Sequence, residues 1–243
     1  MNDQSGLLDT AEAALSKIGG GRVLDVATGS GGFITFLLDN IKEFTEITAI
    51  DHNQRPMEAA RKTYSADNIH FLRMDAARMD FSACQFDTVC IANSLHHMAN
   101  LPGVLSEMMR VCKPGGHFIV SEMYRDGQSD TQLTHVLLHH WWAAVDKADG
   151  ITHFETYTRQ EVVGIIEKIG LHDLEYYDLK DLEADPKDQK IIHELDSIID
   201  RYIQRAQELN GSAELCQRGE QLRQQVHDVG FHGATTLFAI GKK

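Results

Sequence analysis

Three aspartates stand at the ends of three short apolar runs. Asp25 lies in Val23-Leu24-Asp25-Val26, Asp51 in Ala49-Ile50-Asp51-His52, and Asp75 in Arg73-Met74-Asp75-Ala76. A run of small residues, Ala27-Thr28-Gly29-Ser30-Gly31-Gly32-Phe33, follows the first of them. Small side chains let backbone approach a ligand closely. Asp51 lies about twenty residues past the glycine loop, where a carboxylate suits a ribose diol as acceptor. Asp75 can accept from an adenine amino group, with apolar neighbours against the ring. A single aspartate at a strand end is more often a helix cap than a ligand contact. Three in register with a glycine loop are much harder to explain by capping.

A dinucleotide site competes for the same residues. Its G-x-G-x-x-G pattern needs a third glycine where helix and strand pack closely. Counted from Gly29, that place holds Ile34, which weakens an NAD-dependent oxidoreductase reading. No Gly-x-x-x-x-Gly-Lys-Ser/Thr phosphate loop is present.

The elements that must position these residues alternate along the chain. Apolar spacing predicts a helix over 7–18, ended by Gly19-Gly20-Gly21, and then a strand over 22–27. Helix 31–41 and strand 47–50 follow. Asn53 caps the next helix, with Pro56 in its first turn. Strands over 69–74 and 86–92 precede a helix over 100–111, stopped at Lys113-Pro114-Gly115-Gly116, and a strand over 117–123. Thr158 and Glu161 form a capping-box pattern before another helix, followed by strands over 171–179 and 235–240. This alternation implies an α/β doubly wound, mostly parallel sheet, whose ligands bind beyond the carboxyl ends of the strands.

On these residues the chain resembles the class I S-adenosylmethionine-dependent methyltransferases, most closely the ubiquinone/menaquinone C-methyltransferase-like branch. The resemblance rests on Leu24-Asp25-Val26-Ala27-Thr28-Gly29-Ser30-Gly31, Asp51, Asp75-Ala76, Phe86-Asp87, Asn93-Ser94-Leu95-His96-His97-Met98 and Lys113-Pro114-Gly115-Gly116. It implies a Rossmann-like sheet of seven strands, the last one antiparallel beside the sixth. It also implies that Asp25 orders the loop near the methionine amino group and that Ala27, Gly29 and Gly31 give backbone contact with the methionine moiety, with Thr28 and Phe33 as further cofactor-binding candidates. Asp51 takes the ribose, Asp75 and Ala76 the adenine, Asn93 and Ser94 lie beside the donor, and His52 and Met57 are further cofactor-binding candidates. Ala27 stands where many relatives have Gly. The donor carries an ammonium, a diol and an amine but no phosphate, so carboxylates and carbonyls are its natural partners. A phosphate cofactor would prefer helix N-termini and cations.

Methyl transfer from a sulfonium disperses charge, so alignment and water exclusion matter most. A base is needed only for a protonated acceptor. His96 and His97 follow the fourth strand at the expected cleft. As a general base, His97 would make activity rise near a pH of about 6.5; the alternative is that the pair only shapes the donor pocket. His139-His140-Trp141-Trp142 lies on an expected lid helix, where neighbouring residues cannot share one face. His140 and Tyr124 are further catalytic candidates, with Glu122, His153 and Tyr157 behind them. The thirteen histidines invite a metal, but no H-E-x-x-H or Cys/His cluster supports one, so no metal site is expected.

Residues 1–243 then read as a single methyltransferase domain with a donor-binding core at 20–125, an acceptor lid at 126–158 and a helical insertion at 180–232. The apolar stripe of that insertion must be buried on the domain, on a lid or across a homodimer interface. A hydrophobic content of 42% argues against wholesale disorder. A formal charge of −13, with no basic cluster, argues against nucleic acid and anionic membranes as partners. No apolar run reaches the roughly 18 residues of a membrane span. The first ten residues lack the features of a signal peptide. Four scattered cysteines read as reduced thiols of a cytoplasmic protein. The expected partner is a small-molecule methyl acceptor. The alternatives are an oxidoreductase or a donor-binding module without catalysis.

Overall fold

The computed structural model describes residues 10–209 and 213–243. The expected first helix begins partly outside them; its described portion is α1 (Ala11–Leu15). The seven strands are β1 (Gly19–Val26), β2 (Glu43–Asp51), β3 (Ile69–Arg73), β4 (Phe86–Ala92), β5 (Cys112–Met123), β6 (His172–Leu179) and β7 (Thr236–Lys242). They form one mixed sheet in the order β3-β2-β1-β4-β5-β7-β6. Neighbours among the first five are parallel, and β7 runs antiparallel to both β5 and β6.

Helices α2 (Gly32–Asn40), α3 (Gln54–Thr63), α4 (Leu101–Val111) and α6 (Arg159–Glu167) cover the sheet. Strand side chains alternate between its faces. Val23, Cys90, Ile119 and Phe238 pack with Ala11, Ile34 and Met57 of the first three helices. Leu24, Val89, Val120 and Leu237 pack with Val104 and Met108 of α4 and Val162 and Ile166 of α6. Both faces are therefore dry, and ligands are left the carboxyl edge. The Asn53 cap and the Thr158–Glu161 capping box form as the sequence suggests.

The glycine triplet behaves differently from expectation. Gly19-Gly20-Gly21 opens β1 instead of ending a helix, and the register against β2 shifts there. A Cβ on Gly20 would lie 2.4 Å from Ile41 Cδ1, and one on Gly21 would lie 2.7 Å from Asp87 Oδ2. The triplet serves close packing at the start of the strand.

A third apolar cluster lies apart from the sheet. It joins α5 (Asp130–Ala148) to α7 (Gln189–Gln207) and α8 (Ala213–Val229), the two helices between β6 and β7. Ile192, Leu195, Ile199 and Ile203 of α7 are buried here with Leu138, Trp141 and Val145 of α5 and Leu222 and Val226 of α8. The apolar stripe is thus covered within the chain. Among the described residues, no helix is long and apolar enough to cross a membrane.

Candidate active site

Asp25 sits in the last turn of β1, 1% exposed, and its Oδ2 is buried without a hydrogen-bond partner. Desolvation, with a smaller push from the Asp51 charge, raises its pKa to about 6 against hydrogen bonds from Thr28 and Cys90. Two residues on, the chain turns through left-handed backbone at Ala27 (φ 58°), Gly29 (φ 53°) and Gly31 (φ 85°). A Cβ on Gly31 would strike Tyr64 Cε2 at 2.6 Å, whereas one on Gly29 would meet nothing within 4 Å. The loop therefore packs on its far side and faces open space at Gly29.

The ends of β2 and β4 brace this loop. Asp51 accepts from Gly29 N at 2.9 Å and from Asn53 N at 2.7 Å. Ser94 is buried; its hydroxyl donates to Ala92 O at 2.7 Å and lies 3.5 Å from Ala27 O. Asn93 has φ 44° and accepts from Met123 N at 3.0 Å. Past β3, Asp75 is exposed and accepts from Ala77 N at 2.9 Å in a local turn, which leaves Oδ2 for a ligand. Ala76 is half-buried beside it.

An S-adenosylmethionine donor fits these groups chemically. An uncompensated buried carboxyl oxygen lies beneath an open backbone loop, and two further carboxylates end the neighbouring strands. Asp25, Ala27, Thr28, Gly29, Gly31, Asp51, Asp75, Ala76, Asn93 and Ser94 gather along this edge. Met57 does not join them, because it is fully buried between α3 and the sheet. Phe33 is half-buried and stacks on Phe36 at 5.6 Å. His52 has a side chain 87% exposed and lies 3.5 Å from Asp51.

The acceptor-side candidates divide. His97 is exposed, with its ring 4.3 Å from His96 and 4.1 Å from His153. Desolvation, then repulsion from His96 and His153, lowers its pKa to about 3. It is neutral at physiological pH, so a rise in activity near 6.5 is not expected from it. Tyr124 is a correction: it packs in the core, and its hydroxyl donates to Asp178 on β6, away from the loop. His140 Nε2 lies 2.9 Å from Thr156 Oγ1. Trp141 is buried against α7 and α8 and donates to Leu215 O at 2.8 Å. Glu122 is wholly buried beneath the loop after β4. It accepts from Ser94 N at 3.1 Å and Leu95 N at 2.8 Å, and lies 2.5 Å from His96 Nδ1.

Sequence spacing separates the histidines, but the fold collects His96, His97, His139 and His153, with one ligand atom from each inside a 4.8 Å span. His139 is hard to single out within a run of four candidates on one helix. The usable clue is its seven-residue spacing from Asp146, two helical turns along the same face.

Residues 23–116 match the family profile described as a methyltransferase domain. The chain is 32% identical over 173 residues to a sterol 24-C-methyltransferase of Yarrowia lipolytica, covering 68% of this chain and 42% of that one. It is 31% identical over 112 residues to the ubiquinone/menaquinone biosynthesis C-methyltransferase UbiE of Ectopseudomonas mendocina, covering 44% of each. The chain thus spans less than half the length of these relatives. The YcgJ protein of Bacillus subtilis superposes with a TM-score of 0.60 at 16% identity, over 96% of this chain and 97% of that one. That likeness is one of fold. The profile and the acidic strand ends agree, and on both this chain is similar to the class I S-adenosylmethionine-dependent methyltransferases.

Proposed function

We propose that this chain transfers the methyl group of S-adenosylmethionine to a small-molecule acceptor by in-line displacement at the sulfonium. The observation that carries the reading is Asp25, a buried carboxylate with an unpartnered oxygen at the foot of a left-handed glycine loop. A cationic donor relieves that burial, whereas a phosphate ligand would aggravate it. Asp51 holds the loop and offers its remaining lone pairs to a diol, and Asp75 offers Oδ2 to an amine. The chain's part in the chemistry is to align the two reactants and exclude water.

Within a single methyltransferase domain, the division of labour follows the elements. Residues 20–125 hold the donor. Residues 126–158 close over the acceptor, and 180–232 form a helical insertion that braces this lid through α5. The intramolecular burial of the α7 stripe leaves a homodimer without a motive in the packing. Four unpaired thiols suit a cytoplasmic setting. Titration calorimetry tests the reading: S-adenosylmethionine and S-adenosylhomocysteine should bind saturably, and NAD and NADP should not. Tight NAD binding without donor binding would overturn it.

A further inference from the structure

We propose that His96, His97, His139 and His153 form a binding site for a divalent transition-metal ion of the zinc type. The proposal is independent of the methyl-transfer reading. Imidazole nitrogens are the natural ligands of zinc, nickel, iron and copper. A tetrahedral ion held at about 2.0–2.1 Å has nitrogen–nitrogen edges of about 3.3–3.4 Å. His153 Nε2 and His139 Nδ1 are already 3.4 Å apart.

Two buried carboxylates direct the rings inward. Asp146 lies 2.7 Å from His153 Nδ1 and is itself paired with Arg205 at 2.8 Å. Glu122 lies 2.5 Å from His96 Nδ1. A carboxylate on Nδ1 keeps the proton there and turns the Nε2 lone pair toward the centre, the arrangement that supports metal-bound histidines. His96 Nε2 agrees with this: the ring is wholly buried, and that nitrogen has no hydrogen-bond partner. A buried unpaired nitrogen costs free energy unless something binds it. The backbone holds the set together, because Phe154 N donates to His96 O at 2.8 Å and thereby ties the His153 segment to the loop after β4.

His97 leaves one side of the cluster open to solvent. With all four histidines as ligands the ion has no open position, so its part would be structural, tying the loop after β4 to α5. The test uses the full chain stripped of metal by chelation. Calorimetry with Zn2+ should show one ion per chain, and Co2+ should develop the intense visible absorption of a tetrahedral nitrogen site. The double variant His139→Ala/His153→Ala should bind at least a hundredfold more weakly with unchanged circular dichroism. Asp146→Asn should weaken binding by about ten- to a hundredfold. The surface variant His227→Ala should leave affinity unchanged. No stoichiometric uptake by the wild type, a weak octahedral Co2+ spectrum, or equal affinity in the double variant would each overturn the site. Should the double variant fail to fold, the Co2+ spectrum of the wild type decides alone.

Discussion

Nδ1 of His96 lies 2.5 Å from Oε1 of Glu122, and neither side chain has any exposed surface. The other oxygen of Glu122 accepts from the backbone of Ser94 and Leu95. One strand residue therefore sets the path of the loop that carries two candidate site histidines. Breaking a buried polar set by removing one partner is far costlier than its net worth.

Glu122→Ala should accordingly destabilise the protein by about 3–5 kcal/mol. Glu122→Gln, which keeps an acceptor and the shape, should cost less than half of that. Urea unfolding followed by fluorescence measures both. Equal losses in the two variants would mean that the carboxylate itself, not the shape of the side chain, is what Glu122 supplies.

Asp25 makes stability depend on pH. Its folded pKa is raised from 3.8 to about 6, so the folded state holds the proton more tightly. The resulting stabilisation is complete below the unfolded value and disappears as pH rises through about 6, amounting to at most about 3 kcal/mol. Asp25→Asn should thus unfold at higher urea than wild type near pH 8, and that advantage should shrink as pH falls through about 6 and vanish below the unfolded value of 3.8. A cationic donor favours the ionised form, so donor affinity in the wild type should weaken as pH falls through the same window.

Asp51→Ala and Asp75→Ala should both weaken donor binding, by about ten- to a hundredfold for each charged hydrogen-bond acceptor removed. Asp51→Ala should be the worse, since Asp51 also holds Gly29 and Asn53. Asp75 organises only its own turn. Calorimetry on the folded variants ranks them, and a reversed order would count against the ribose role of Asp51.

Ala27 holds a left-handed backbone that costs an L-residue about 1–2 kcal/mol. Glycine removes that cost but adds about 0.5–1 kcal/mol of unfolded-state entropy. Ala27→Gly should therefore raise stability by under about 1 kcal/mol with donor affinity retained. A drop in the unfolding midpoint would show that the methyl group packs usefully.

Gly219 lets α8 close on α5. A Cβ there would lie 2.4 Å from Trp141 Cζ2 and 2.8 Å from Ile203 Cγ1. Gly219→Ala should cost about 1–3 kcal/mol by overpacking, reduced by up to about 1 from helix propensity. Tryptophan emission should shift while donor affinity stays. Loss of donor binding in a folded variant would join this cluster to the donor site.

The donor side is readable from sequence because it is local. Asp25 and its glycine loop are contiguous, and Asp51 and Asp75 end strands whose apolar runs mark them. Period and punctuation alone place such residues on one edge of an alternating α/β sheet. The triplet Gly19-Gly20-Gly21 misleads because a glycine run reads as a break, whereas its use against Ile41 and Asp87 is steric and long-range. The histidine cluster is invisible in the sequence for a related reason. Its members come from the turn after β4, from α5 and from the loop behind α5, and Glu122 and Asp146 approach them only once β5 and α5 are packed. Tyr124 shows the converse: strand-end position suggests the cleft, but pleat direction turns its ring into the core toward Asp178. Sequence determines which residues share an element and a face. Which faces meet is decided by tertiary packing, where distances of a few ångströms separate a ligand from a bystander.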